Sequence, residues 1–206
     1  MALGILDALR AKVDKVGVFR PISHSHAKRD YVLDLLLDHD DVNLDYDQCI
    51  GVTYDDVHAD PDAALAVIVE KYRAVERQCN AVVILGSDYT DVGNPTEFEF
   101  NARIAANIAA PIVMVVTGRD PHGPVGASGT MSARTPADVL RVVQSAMEEI
   151  RAHHASVISV MVNRADASAQ EEVLSHISAL DPHVYSTLIP EDAFLVAPTV
   201  RSVMSA

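Results

Sequence analysis

Only two cysteines, Cys49 and Cys79, occur in 206 residues, and neither belongs to a Cys-x-x-Cys pair. That spacing gives no disulfide framework and no cysteine-based zinc site, so two reduced thiols are expected. Basic residues are also scarce: 16 Lys and Arg stand against 29 Asp and Glu, for a net charge of -13. A surface of that sign repels phosphate backbones and anionic lipid, which argues against nucleic acid and membrane as partners. No apolar stretch approaches the ~20 residues needed to span a bilayer. The first apolar residues meet Asp7 within about two helical turns, too early for the apolar run of a secretory signal. A cytoplasmic protein is expected. There is no Gly-x-Ser-x-Gly, no cysteine in an activating context and no Gly-x-x-x-x-Gly-Lys-Ser/Thr phosphate loop.

What is present is the pattern of a globular α/β protein. The chain is 49% hydrophobic and 22% charged, long enough for one domain with a substantial core. Short apolar runs recur: Val16-Gly-Val-Phe19, Ala81-Val-Val-Ile-Leu85, Ile112-Val-Met-Val-Val116, Val157-Ile-Ser-Val-Met-Val162 and Val184-Tyr-Ser-Thr-Leu-Ile189. Strands that are apolar at nearly every position are buried on both faces, the condition of a parallel sheet. Helix starts lie between them. Asp60-Pro61, Asn94-Pro95 and Thr135-Pro136 each place a capping side chain before a proline, and Ser168-Ala-Gln-Glu171 reads as a capping box. Helices are expected at 2–13, 27–38, 61–78, 95–109, 136–154 and 169–180. Alternation of this kind implies a doubly wound, mostly parallel sheet with helices on both faces. Residues 121–129, rich in Gly and Pro, read as a loop between a strand end and the next helix.

The beginning departs from the usual order. A doubly wound domain opens on a strand, whereas here a helix with an apolar face (Leu3, Ile5, Leu6, Leu9, Val13) precedes the first strand-like run. A central strand carries about five buried apolar side chains at ~1.5–3 kcal/mol each, a gross term comparable with the ~5–15 kcal/mol net stability of a domain. An N-terminally extended chain that supplies such a strand is expected to melt higher.

Several segments together resemble the N-terminal, dethiobiotin-synthetase-like domain of long phosphate acetyltransferases. They are Ala2-Leu-Gly-Ile-Leu-Asp-Ala-Leu9, Lys15-Val-Gly-Val-Phe-Arg-Pro-Ile22, Gly51-Val-Thr-Tyr54, Val57-His-Ala-Asp60, Val83-Ile-Leu-Gly-Ser-Asp-Tyr-Thr-Asp91, Pro95-Thr-Glu97, Asn101-x-Arg-Ile-Ala105, Val162-Asn-Arg164, Ile189-Pro-Glu-Asp192 and Ala197-Pro-Thr-Val200. The resemblance covers the whole chain except 121–129. It implies a P-loop-NTPase-like fold without the first strand and phosphate loop. It also implies one domain over 1–206, continuing past a connector that starts at 197–206, and a role as a non-catalytic regulatory or assembly module. The parent enzyme would convert acetyl-CoA and phosphate to acetyl phosphate and CoA. The implied partners are the rest of the acetyltransferase polypeptide, further copies in a homo-oligomer and a small-metabolite effector. No catalytic residue and no cofactor are expected in this chain. An ATP-dependent dethiobiotin-synthetase-like ligase, and a small ligand-binding or dimerisation module, are the alternatives.

Candidate binding residues sit after strand-like runs. Asn163, Arg164 and Asp166 follow the fourth of the runs above that feed the sheet, where nucleotide-binding relatives read a base. The Asn163 amide could pair with a purine edge and Arg164 could stack on it. The same residues also read as polar strand-ending positions. Asp88 and Asp91 follow the run at 81–85 and suit a magnesium-holding role in type, or a turn before Asn94. Asp41, Asn43 and Asp45 imitate a calcium loop, but Tyr46 stands where Gly is required and Val52 where Glu is, so a solvated acidic loop is expected. The pairs His24/His26 and His153/His154 have no third ligand placed by sequence, and no metal site is expected.

Overall fold

The computed structural model describes residues 1–25, 28–87, 96–121, 123 and 131–196. They divide into two compact units, Met1–Ala109 and Ala110–Ala206.

In the first unit, α1 (Ala2–Arg10) leads to β1 (Val16–Ser23). Then follow α2 (Tyr31–Leu37), α3 (Tyr46–Cys49), β2 (Ile50–Thr53), α4 (Tyr54–Ala59), α5 (Pro61–Glu76), β3 (Ala81–Ile84) and α6 (Thr96–Asn107). The strands pair in parallel in the order β2-β1-β3. All eight residues of β1 are buried, so both faces of this central strand are covered, as its apolar run implies. Val16, Val18, Phe19 and Ile22 form the centre of the core with Ile68 and Val75 of α5 and Leu33 and Leu36 of α2.

The opening helix does pack on the sheet: Leu6 is fully buried and α1 touches β1 and β3. Asp60 caps α5 through the amides of Asp62 and Ala63, with Pro61 at the first helical position. The expected helix at 27–38 starts later, at Tyr31, because the Asp30 carboxylate accepts from the amides of Val32 and Leu33 and fixes the start there. Strand β2 was not expected. It has only four residues and contains Gly51, whose missing Cβ lets the chain pass Pro21; a Cβ there would sit 2.1 Å from the Pro21 carbonyl oxygen. The Lys71 ammonium reaches from α5 to donate to the Ile50 and Gly51 carbonyls, each at 2.9 Å.

The second unit contains β4 (Ile112–Thr117), α7 (Pro136–Ala152), β5 (Val157–Ala165), a 3-10 turn (Ala167–Ala169), α8 (Gln170–Leu180), β6 (Tyr185–Pro190) and α9 (Ala193–Val196). Its three strands are parallel in the order β4-β5-β6. Val160 and Val162 of the middle strand are fully buried, and α7 and α8 supply Val143, Met147, Ile150, Val173 and Ile177 to the same core. Thr135 caps α7 as expected, its hydroxyl accepting from the Asp138 amide.

The capping box expected at Ser168 is not the device used. The Asp166 carboxylate accepts from both the amide and the hydroxyl of Ser168, at 2.9 and 2.7 Å, and starts a 3-10 turn; α8 follows only at Gln170, without a side-chain cap. The α/β class with parallel strands is therefore found, carried by two three-stranded sheets. Among the described residues, no helix is long and apolar enough to cross a membrane.

Candidate functional site

In parallel α/β sheets, ligands bind beyond the carboxyl ends of the strands, where loops and helix starts meet. Each unit has a charged cluster at that edge.

In the first unit the cluster is built on Arg20 of β1. Its guanidinium lies 3.1 Å from the Asp30 carboxylate and donates at 2.8 Å to the Gly86 carbonyl, just beyond β3. The side chains of Arg20 and Asp30 are only 6% and 7% exposed. Asp30 is held from both sides: its carboxylate caps α2, and its amide donates to the Tyr46 hydroxyl at 2.7 Å. Next to Gly86, the Ser87 amide donates to the Asn101 side-chain oxygen, and the Asn101 amide nitrogen donates to the Ser87 hydroxyl at 2.6 Å. The described part of the strand-end loop is thus tied to α2 and α6 by polar contacts, and its buried charge is paired. The His24 ring lies 5.0 Å from the Tyr54 ring, tilted to it by 39°. His26, Asp88, Asp91 and Asn94 lie outside the described residues.

In the second unit three strand ends converge. After β4, Gly118 presses against β5 so closely that a Cβ would lie 2.5 Å from the Ala165 Cα; the Gly118 amide donates to the Asn163 carbonyl at 2.7 Å. Near the end of β5 the pairing with β6 shifts register between Asn163 and Ala165, and Arg164 takes a left-handed φ of 57°. Such an irregularity turns a side chain out of the regular alternation. Arg164 is turned to Glu191, which follows β6: its Nε donates to Glu191 Oε2 at 2.8 Å. The terminal nitrogen of Arg119, after β4, lies 2.9 Å from Glu191 Oε1. One carboxylate, 8% exposed, therefore holds two guanidiniums that are 16% and 37% exposed. The Arg119 Nε is buried without a hydrogen-bond partner among the described residues.

Of the expected residues, Asn163, Arg164 and Asp166 are brought to this one edge. They do not act alike. Arg164 is engaged with Glu191. Asp166 serves as the cap described above; the Ser168 hydrogen bonds, with the nearby Arg119 charge, hold its carboxyl below the usual range. The Asn163 side chain has no hydrogen-bond partner among the described residues. The sequence reading missed Arg119 and Glu191 as members. Their signal was positional: each lies two or three residues past an apolar run of the sequence, as Arg164 does.

The arrangement can hold charge or bind an anion. It offers no paired nucleophile and base. Among the described residues, no group of three or more His, Cys, Asp or Glu side chains is placed to hold a metal ion. His153 and His154 end α7, with His154 in the left-handed conformation that closes the helix. The acidic stretch is used locally: Asp40 accepts from the amides of Val42 and Asn43, and Asp41 from that of Val16. Both thiols are free, and burial, first among the causes, pushes Cys49 up to about 12.

A family model described as an AAA domain matches residues 1–198. Two similar curated proteins are named phosphate acetyltransferase. One, from Nitratidesulfovibrio vulgaris, is 24% identical over 98% of this chain; the other, from Synechocystis sp., is 25% identical over all of it. The chain spans 29% of the length of each. Among solved structures, the arginine decarboxylase of Paramecium bursaria Chlorella virus covers 92% of this chain and 67% of its own at 12% identity; a TM-score of 0.34 is too low to carry an argument.

Proposed function

The chain belongs to the AAA domain family, and on that premise we propose that it is the dethiobiotin-synthetase-like domain of a phosphate acetyltransferase, acting in assembly and metabolite regulation and not in acetyl transfer. The observation that carries this reading is coverage. The chain aligns from end to end with proteins named phosphate acetyltransferase, yet spans 29% of each. Residues for acyl transfer are not in evidence among those described. The charged groups at the strand ends are paired with one another, which suits binding and not bond-making. A phosphate loop is lacking in the sequence, which removes the main electrostatic hold on a nucleotide. Asn163 and Arg164, at the end of β5, are then the candidates for binding an effector. The domain is one functional whole over 1–206, works in the cytoplasm, joins the rest of an acetyltransferase polypeptide and contributes to a homo-oligomer.

A chimera tests this. In the Synechocystis enzyme, the segment matching this chain is either replaced by it or deleted. The replacement is expected to keep acetyl phosphate formation and the oligomeric state, whereas the deletion alters oligomeric state or effector response. The isolated chain is expected to form no acetyl phosphate and to give no heat with ATP and magnesium in calorimetry. ATP-dependent ligase activity of the isolated chain would overturn the proposal in favour of a dethiobiotin-synthetase-like enzyme.

A further inference from the structure

We propose that Arg119, Arg164 and Asn163 form a binding site for a small oxyanion, a carboxylate or a phosphate, and that Glu191 is the resident carboxylate such a ligand displaces. The inference rests on the reading of these strand ends as a binding site and names the chemistry of what they bind.

Four observations point to an anion. Two guanidiniums, with ten N–H donors between them, converge on a single carboxylate. The Arg119 Nε has no partner among the described residues although it is buried, so one donor of the pair is left over. The Arg164 side chain is 37% exposed, which leaves the outer edge of its guanidinium open. The amide of Asn163, the preceding residue in the chain, also lacks a partner among the described residues. Planar guanidiniums match the paired oxygens of carboxylate and phosphate, and they do so without a phosphate loop.

The backbone at this place supports a binding role over a merely structural ion pair. Arg164 sits in a left-handed conformation, an unfavourable one for a residue with a Cβ, at the point where the β5–β6 register shifts. In that conformation its guanidinium meets Glu191. Gly118 closes the other side by its contact with Ala165. Glu191, directly after β6, is tied to the end of β5 through its amide, which donates to the Ala165 carbonyl at 3.1 Å, and the next residue, Asp192, caps α9. A ligand that takes the arginines frees the Glu191 side chain directly before α9.

The test uses the whole chain with inorganic phosphate and malonate as probes, each titrated by calorimetry and by 15N spectra of the arginine Nε groups. Glu191→Gln keeps the shape and removes the competing charge, so it is expected to bind one or both probes at least tenfold more tightly than the parent chain. Arg164→Gln is expected to abolish that binding in either background. A response to phosphate alone or to malonate alone identifies which source of the oxyanion the site prefers. No saturable binding by the Glu191→Gln chain, or binding that Arg164→Gln leaves unchanged (an adventitious ion only), overturns the proposal. If Glu191→Gln does not give a folded spectrum, the parent chain decides: millimolar binding lost in Arg164→Gln supports the site, and its absence overturns it. An acetyltransferase chimera that remains active and assembled while neither probe binds would leave the domain assignment standing and remove only this inference.

Discussion

The guanidinium of Arg20 and the carboxylate of Asp30, 3.1 Å apart, form an ion pair whose two side chains are each more than nine-tenths buried. Removing one member leaves the other charged, desolvated and unpaired, which costs about 3–5 kcal/mol. Arg20→Met should therefore lower the urea midpoint strongly. Adding Asp30→Asn should recover part of the loss, because Asn still caps α2 but no longer carries an unpaired charge. Equal stability of the single and double variants would contradict this account.

Two glycines should respond in opposite directions to alanine. Gly118→Ala forces a Cβ into the backbone of Ala165, and overpacking of that kind costs about 1–3 kcal/mol. Gly4, inside α1, has nothing within 4 Å of the position a Cβ would take, and Gly4→Ala should stabilise by about 0.5–1 kcal/mol through helix propensity. Thermal melts of the two variants decide the matter by the sign of each shift.

The cap of α7 gives a third test. Thr135→Ala removes the acceptor for the Asp138 amide and should cost about 1 kcal/mol. The same hydroxyl is the first cause of the lowered pKa of the Asp138 carboxyl, so the variant should also move that group back toward its ordinary value in an NMR titration. A carboxyl whose folded pKa is depressed adds stability above its unfolded value, near 3.9, and loses it as the pH falls through the folded one. Parent and variant should therefore differ most at neutral pH and converge in acid.

Cys49 carries the opposite sign. Burial raises its folded pKa to about 12, above an unfolded thiol near 8.5. The protonated thiol thus contributes stability that is fully present below about pH 8.5 and declines as the pH rises toward the folded value. The melting temperature of the parent chain should fall between those limits by more than that of Cys49→Ala, compared from their own neutral-pH values. At pH 8 iodoacetamide should leave Cys49 unmodified in the folded chain and alkylate it readily in urea.

The legible parts of the fold were those whose cause is local. The apolar runs at 16–19, 112–116 and 157–162 became strands, and Asp60 and Thr135 capped the helices they precede. Strand β2 was hidden because Gly51 and Thr53 interrupt its apolar run, and Gly51 reads as a turn until the neighbouring Pro21 carbonyl is seen. The cap before α8 was misassigned because Asp166 and Ser168 are both capping types, and only the three-dimensional turn shows which accepts from which. At the candidate site, Asn163, Arg164 and Asp166 could be picked out as residues following a strand. Glu191 could not be assigned to them, because 27 residues separate it from Arg164 and the register shift that aims one at the other has no local signature.

Lys71 gives the first unit a further property. Its ammonium holds two consecutive carbonyls of β2 from the side of α5, and β2 is a four-residue strand with a neighbour on one side only among the described residues. A strand so short would fray independently in solution. Bound to the helix in this way, its amides should trade hydrogen for deuterium at the rate at which α5 itself opens, so that strand and helix form one cooperative unit in exchange.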